Sequence, residues 1–384
     1  MAIKKFLYVI LVFFLASGCA VYKARNPIIE GHFSGINKDV NDENIKDIRI
    51  FIIHGIGRQK MTYSQEFIDK LTDQLGDGER QLLLYDTIDY GKDKGKVVIN
   101  RYRINHKYVT FYSLYWSEIT EKYKSYIDKN HCELYDQFGV KRAMVNDRIK
   151  ELLTNDGFVD FILYASGSFK NEIREPVAKT LDIIYNDSIT IDDYLKKTEY
   201  KTMKSIPVYD KSIYIISGSL GSKIVLDELS EFNPESAPDD KRSYKIQRQR
   251  FYYEKMKSIF MLTNQVPLLS LLYAGDDNTH PDSLQYIYQN YYGLCNFLSK
   301  SNNSCLNYIS FYDPNDLLGY NPISNPPVCL GENPCENCVK RINRSRVVLR
   351  NARPFKFMFA RPAKAHMGVW KNKKLIRLIA NGSE

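Results

Sequence analysis

SIYIISGSLG, residues 212–221, is an apolar run that stops at a turn of small residues, and KIVLDELSEF, residues 223–232, follows it almost at once. The unbroken apolar stretch reads as a strand buried on both faces. Ile224, Val225, Leu226 and Leu229 then mark the side of a helix that packs on a sheet. Strand, tight turn and helix together form the unit from which parallel α/β sheets are built.

Outward from this unit the pattern repeats. IRIFIIH (48–54) is a second apolar run, ending at Gly55-Ile56-Gly57, and a helix is expected over Ser64–Leu75. Val109–Trp116, Ser258–Leu262 and Asn307–Phe311 read as further strands and Arg346–Leu349 as the last. A helical stretch is expected at Asp282–Leu298, a charged loop at Asn233–Arg250, and a terminal helix at the apolar run Leu375–Ala380. Between Ser117 and Ile206 the patterning is helical, as at Val140–Leu153 and Pro176–Tyr185. The expectation is an α/β fold with a mostly parallel central sheet flanked by helices. Its core spans residues 47–116 and 207–384, interrupted by a largely helical cap insertion at 117–206.

In Ser217-Gly218-Ser219-Leu220-Gly221 the central serine sits where the backbone must turn sharply. The residues two before and two after it must then be small, so that strand and helix can approach. The segment resembles the nucleophile elbow G-x-S-x-G of the α/β-hydrolase superfamily, with Ser217 in place of the first glycine. FIIHGIG (51–57) is similar to the strand and loop that supply the oxyanion hole there. The resemblance implies Ser219 as nucleophile. It also implies the backbone amides of Ile56 or Gly57, together with Leu220, as oxyanion donors.

A serine hydroxyl is a weak nucleophile near neutral pH, so a base must take its proton and a carboxylate must orient that base. The superfamily places them in the order serine, acid, histidine. Among His32, His54, His106, His131, His280 and His366, only His366 follows every candidate acid. Asp316, followed by two leucines, fits the acid after a late strand. Asp313, before Pro314, is the alternative and also reads as a turn cap; Asp276 and Asp277 are lesser ones. The resemblance therefore implies a serine esterase or lipase-like enzyme acting on an ester-type substrate through an acyl-enzyme, with no cofactor and no metal. A second reading keeps the same scaffold as a binding or envelope-assembly protein without turnover, because fold does not entail activity.

Lys4 and Lys5 precede FLYVILVFFLA (6–16), an apolar run shorter than the roughly 20 residues of a membrane-spanning helix and suited to a signal-peptide core. It ends in Ala16-Ser17-Gly18-Cys19, which resembles a bacterial lipoprotein lipobox with Ala16 where leucine is commonest. That implies a signal peptide over residues 1–18, a lipid on Cys19, and a polar tether over 19–46. The location implied is the bacterial cell envelope, anchored to a membrane by lipid and facing the periplasm or exterior.

With 384 residues, 44% apolar and 26% charged, the chain can bury a sizeable core, which excludes wholesale disorder and collagen-like or coiled-coil classes. The net charge of +9 permits contact with anionic surfaces. Nine Lys/Arg and no Asp/Glu lie in Lys340–Lys364, read either as a solvated face or as contact with anionic headgroups or substrate. Nucleic acid is not expected, because no recognition-helix, zinc-finger or RNP-like pattern accompanies the charge. Beyond Cys19, six cysteines (Cys132, Cys295, Cys305, Cys329, Cys335 and Cys338) point to disulfides in an exported chain. Cys335 and Cys338 also have CxxC spacing with Cys329 nearby, as in a zinc knuckle, although no second CxxC or local histidine pair accompanies them.

Overall fold

In the computed structural model nine strands form one sheet in the order β1-β9-β8-β7-β6-β2-β5-β4-β3. The structure describes residues 26–138, 143–151, 157–167, 169–187, 210–230, 239–270, 306–320, 342–352 and 361–383. The strands are β1 (Ile28–Glu30), β2 (Ile45–Ile53), β3 (Arg80–Asp89), β4 (Lys96–Ile104), β5 (Lys107–Tyr115), β6 (Asp210–Gly218), β7 (Met256–Leu262), β8 (Leu306–Tyr312) and β9 (Ile342–Val348). The helices that matter below are α1 (Gln65–Thr72), α2 (Glu118–Phe138), α3 (Val159–Ala165), α4 (Lys170–Asn186), α5 (Leu220–Ser230), α6 (Asp239–Lys255), α7 (Pro362–Met367) and α8 (Lys373–Asn381).

Six neighbouring strands, β9 through β5, run parallel. The edges are antiparallel: β1 pairs with β9 on one side, and β4 and β3 extend from β5 on the other. The fold is thus α/β with a mostly parallel sheet. The β3–β4 hairpin breaks the strand–helix alternation expected from the sequence. β3 is largely exposed, as suits an outermost strand.

Alternation along each central strand feeds two cores. Ile48, Ile50 and Ile52 of β2 join Tyr214, Ile216, Phe260, Leu262, Ile309 and Phe311 on one face, where Phe67, Ile68 and Leu71 of α1 and Leu375, Ile376 and Ile379 of α8 cover them. Phe51 and Ile53 face the other way with Ile213, Ile215, Ile259 and Met261. There Leu220, Ile224 and Leu229 of α5 and Ile173, Val177, Leu181 and Ile184 of α4 close the layer. The spacing of those four α4 residues puts them on one helical stripe. Part of the 117–206 segment expected as a cap is therefore a helical layer of the sheet itself.

Two further expectations are corrected. Residues 19–46 were expected as a tether, yet from Ile28 onward they are folded. β1 pairs with β9, and Phe33, Ile36 and Val40 are buried against α8 and the sheet. Phe33 meets Phe260 and Phe311 edge-on at 6.3 and 6.2 Å, a burial worth about 2 kcal/mol for such a side chain. Asn233–Arg250 was expected as a charged loop, yet from Asp239 it is α6. This helix has no broad apolar stripe. Buried Tyr252, which donates to the Leu181 carbonyl, Phe251 stacked edge-on against Tyr185 at 5.2 Å, and the Arg248–Asp182 ion pair hold it instead.

The chain leaves β2 toward β5 on one side and returns to β6 on the other. The helices that follow β2 and β6 consequently pack on opposite faces. Where such connections part, a crevice opens outside the carboxyl ends of the strands, the place where open α/β sheets bind ligands.

Candidate active site

Ser219 lies at that crevice, between the last residue of β6 and the first of α5. Its φ is +51°, the left-handed region that costs a non-glycine residue roughly 1–2 kcal/mol. The turn is pinned by its neighbours: the Ser219 amide donates to the Leu262 carbonyl of β7 at 2.8 Å. A methyl group at Gly221 would overlap the His54 carbonyl, and one at Gly218 would stand 2.6 Å from the Trp370 ring. The position occupied by Ser217 tolerates a hydroxyl because its Oγ finds Ser222 Oγ at 3.0 Å.

His366, near the end of α7, faces Ser219: its Nε2 is 3.0 Å from Ser219 Oγ. Its Nδ1 lies 2.9 and 2.8 Å from the two Asp316 oxygens. A carboxylate acceptor at Nδ1 assigns the proton to that nitrogen and leaves the Nε2 lone pair to accept the serine hydroxyl. All three side chains are buried. Asp316 is itself oriented, since its Oδ1 accepts the Leu318 amide at 3.0 Å and a methyl at Gly319 would overlap its Oδ2.

Asp313, the alternative acid, points elsewhere. Its Oδ1 accepts the Asn315 amide at 2.9 Å, and its Oδ2 accepts the Asn351 and Ala352 amides at 2.6 and 3.1 Å. Asn351 in turn donates through Nδ2 to the Ala365 carbonyl at 2.9 Å and accepts at Oδ1 from Asn372 Nδ2 at 2.8 Å. Asn372 caps α8 through the Lys374 and Leu375 amides. Asp313 thus ties the end of β8 to the segment that carries His366.

The loop after β2 passes directly beneath the serine. A methyl group at Gly55 would overlap Ser219 Cβ, so only glycine lets the two backbones come this close. His54 is buried and stacks on Trp116 with ring centroids 5.1 Å apart. Its Nδ1 donates to the Gly55 carbonyl at 2.7 Å and its Nε2 accepts the Trp116 amide at 3.2 Å. Burial pushes this imidazole down to about 3, the Gly55 hydrogen bond acting weakly the other way and Lys124 adding to the drop. His54 is therefore neutral and shapes the loop.

Of the two loop amides expected as anion donors, that of Gly57 is already engaged: it donates to Asp160 Oδ2 at 2.7 Å. The Ile56 amide has no acceptor among the described residues. The Leu220 amide opens α5, where the first N–H groups lack intrahelical partners and the helix dipole is positive. Asp160, on α3, is held by Thr120 Oγ1 at 2.5 Å and by Lys124 Nζ at 2.9 Å, the ion pair being fully buried. Burial raises the Asp160 carboxyl, and Lys124, Thr120 and the Gly57 amide oppose that rise.

Asp160, Asn351 and Gly55 are contributions the motif reading did not single out. Only Gly55 carried a signal, as part of the HGIG turn. Asp276, Asp277, Cys19, Cys295, Cys305, Cys329, Cys335 and Cys338 lie outside the described residues. Among those described, no group of three His, Cys, Asp or Glu side chains could hold a metal ion, and no helix is long and apolar enough to cross a membrane. No family model matches the chain, and no curated protein matches it.

Proposed function

We propose that this chain is a serine hydrolase of the α/β-hydrolase kind that cleaves an ester through an acyl-enzyme and is tethered to the bacterial envelope by a lipid on Cys19. The observation that carries the reading is the hydrogen-bonded series Ser219 Oγ, His366 Nε2, His366 Nδ1 and Asp316 at a strand-to-helix turn. As Ser219 Oγ attacks the substrate carbonyl carbon, its proton passes to His366 Nε2, and Asp316 stabilises the resulting imidazolium. The carbonyl oxygen, now an anion, accepts from the Leu220 and Ile56 amides. Collapse of the intermediate expels the alcohol, which takes the proton from His366. Water then attacks the Ser219 ester with His366 again as base, releasing the acid and restoring the serine.

In this reading the cap that shapes the substrate pocket comes from the part of 117–206 that precedes α4, where α2 and α3 lie. Asp160, which bonds the loop after β2 and is itself held by Thr120 and Lys124, supports that placement. The lipid anchor rests on the basic start, the apolar run and the Ala16-Ser17-Gly18-Cys19 sequence. Hydrolysis of p-nitrophenyl esters of increasing acyl length tests the activity. Wild type should turn over at least one of them, and Ser219→Ala should lower kcat on the order of 10⁴-fold or more with the fold intact. Full turnover by the variant would refute the reading.

A further inference from the structure

The Lys374 ammonium donates to the Asn26 side chain at 3.1 Å, eight residues after His366. Two residues later the chain enters β1, whose first residue Ile28 pairs with Val348, the last residue of β9. Because β9 runs parallel to β8 and β1 runs against them, the chain joins the sheet at the carboxyl end of the parallel strands. Ser219, Asp316 and His366 lie at that same end. Asn26 is seven residue steps from Cys19, and whatever the conformation in between those steps span at most about 25 Å. A lipid on Cys19 is thus leashed to the end of the molecule that carries the candidate active site.

That end is also chemically suited to a membrane surface. Arg350, after β9, Arg361, just before α7, and Lys364, in α7, are exposed, and the sequence from Leu349 to Lys364 contains no carboxylate. Leu317 and Met367, immediately after Asp316 and His366, are 65% and 48% exposed. Exposed apolar and basic side chains at one end of the sheet suit the boundary between headgroups and acyl chains of an anionic bilayer.

We infer that the carboxyl end of the sheet docks on the anionic bilayer that holds the tether, so that the site opens toward the lipid and draws its ester from it. This rests on the lipid-anchor and hydrolase readings above and adds an orientation and a substrate class to them. A bilayer-resident ester is an amphiphile whose acyl carbonyl lies at headgroup depth, level with a site held at that surface.

The test uses the lipidated full chain in vesicles of phosphatidylcholine with and without phosphatidylglycerol. Amide hydrogen exchange is followed at Pro362–Met367, and at the Asn105–His106 turn, which joins β4 to β5 at the other end of the sheet. The anionic lipid should slow exchange several-fold at Pro362–Met367 and leave the turn unchanged. Reversing Arg350→Glu, Arg361→Glu and Lys364→Glu together should weaken docking on the order of 10²-fold and abolish the difference. Equal exchange in both lipids, protection at the opposite end, or protection that survives the reversal would overturn the inference, as would intact-mass data showing Cys19 without lipid. Ser219 reactivity toward a fluorophosphonate, read in the same samples, reports on the hydrolase reading separately and leaves the exchange result standing.

Discussion

The Asp160 carboxylate accepts the Gly57 amide at 2.7 Å across 103 residues of sequence. The contact fixes the loop whose preceding amide, that of Ile56, has no acceptor among the described residues and is the oxyanion donor proposed above. It also explains a charge pair buried without solvent: Lys124 and Thr120 hold the carboxylate that holds the loop. Removing Asp160 alone would strand a buried ammonium, at a cost of several kcal/mol that says nothing about the loop.

Two double variants isolate the hydrogen bond. Lys124→Met with Asp160→Asn removes both charges but keeps an oxygen for the Gly57 amide, whereas Lys124→Met with Asp160→Leu removes both charges and the acceptor. In steady-state ester hydrolysis the second should lose about 10- to 100-fold in kcat with KM nearly unchanged, and the first should stay close to wild type. Equal kcat in the two would show that the carboxylate has no positioning role.

Asp316 and Asp313 should separate by phenotype. Asp316→Asn keeps the shape but misassigns the His366 proton, so kcat should fall on the order of 10⁴-fold at nearly unchanged thermal stability. Asp313→Asn weakens the acceptor for the part-buried Asn351 amide and the buried Ala352 amide, so it should lower unfolding free energy by about 1–3 kcal/mol. Calorimetry and kcat on the same two proteins check this; the reverse pattern would exchange their roles.

Gly55→Ala should be harmful out of proportion to its size. The added methyl must displace Ser219, and a shift near 1 Å at the nucleophile costs on the order of 10² in rate. Reaction of Ser219 with a fluorophosphonate should slow accordingly. An unchanged rate would mean that the loop moves freely away from the serine.

Acid sensitivity should trace in part to His54. Its imidazole is lowered to about 3 in the fold, against an ordinary value near 6.5, so on acidification the unfolded chain takes up a proton that the folded chain refuses. Stability from this residue is therefore complete above about pH 7 and falls below 6.5, by about 2 kcal/mol at pH 5. Denaturant unfolding at pH 7 and pH 5 should show a smaller drop in His54→Gln than in wild type. An equal drop would place the acid sensitivity elsewhere.

The central strands were legible because most carry a dense apolar run next to turn residues, as in Ile50–Ile53 of β2 and Ile213–Ile216 of β6, which suits a strand buried on both faces. β3 and β4 were not, because an antiparallel edge alternates weakly and Arg101 and Arg103 interrupt the pattern. α6 escaped because an edge-on ring contact, a tyrosine hydrogen bond and an ion pair, not a stripe, hold it. In the site, Ser219, Asp316 and His366 could be named because the roles proposed for them require an order along the chain and small neighbours around the serine. Asp160 and Asn351 could not, because a side chain bonding a distant backbone amide or carbonyl leaves no spacing to read.

The most direct measurement is the mass of the intact protein after exposure to a fluorophosphonate, with the modified peptide mapped. Wild type should gain one phosphonyl group, on Ser219, and His366→Ala and Ser219→Ala should each gain none on the same timescale. A folded wild-type protein that stays unmodified, or one modified equally well without His366, would contradict the proposed chemistry.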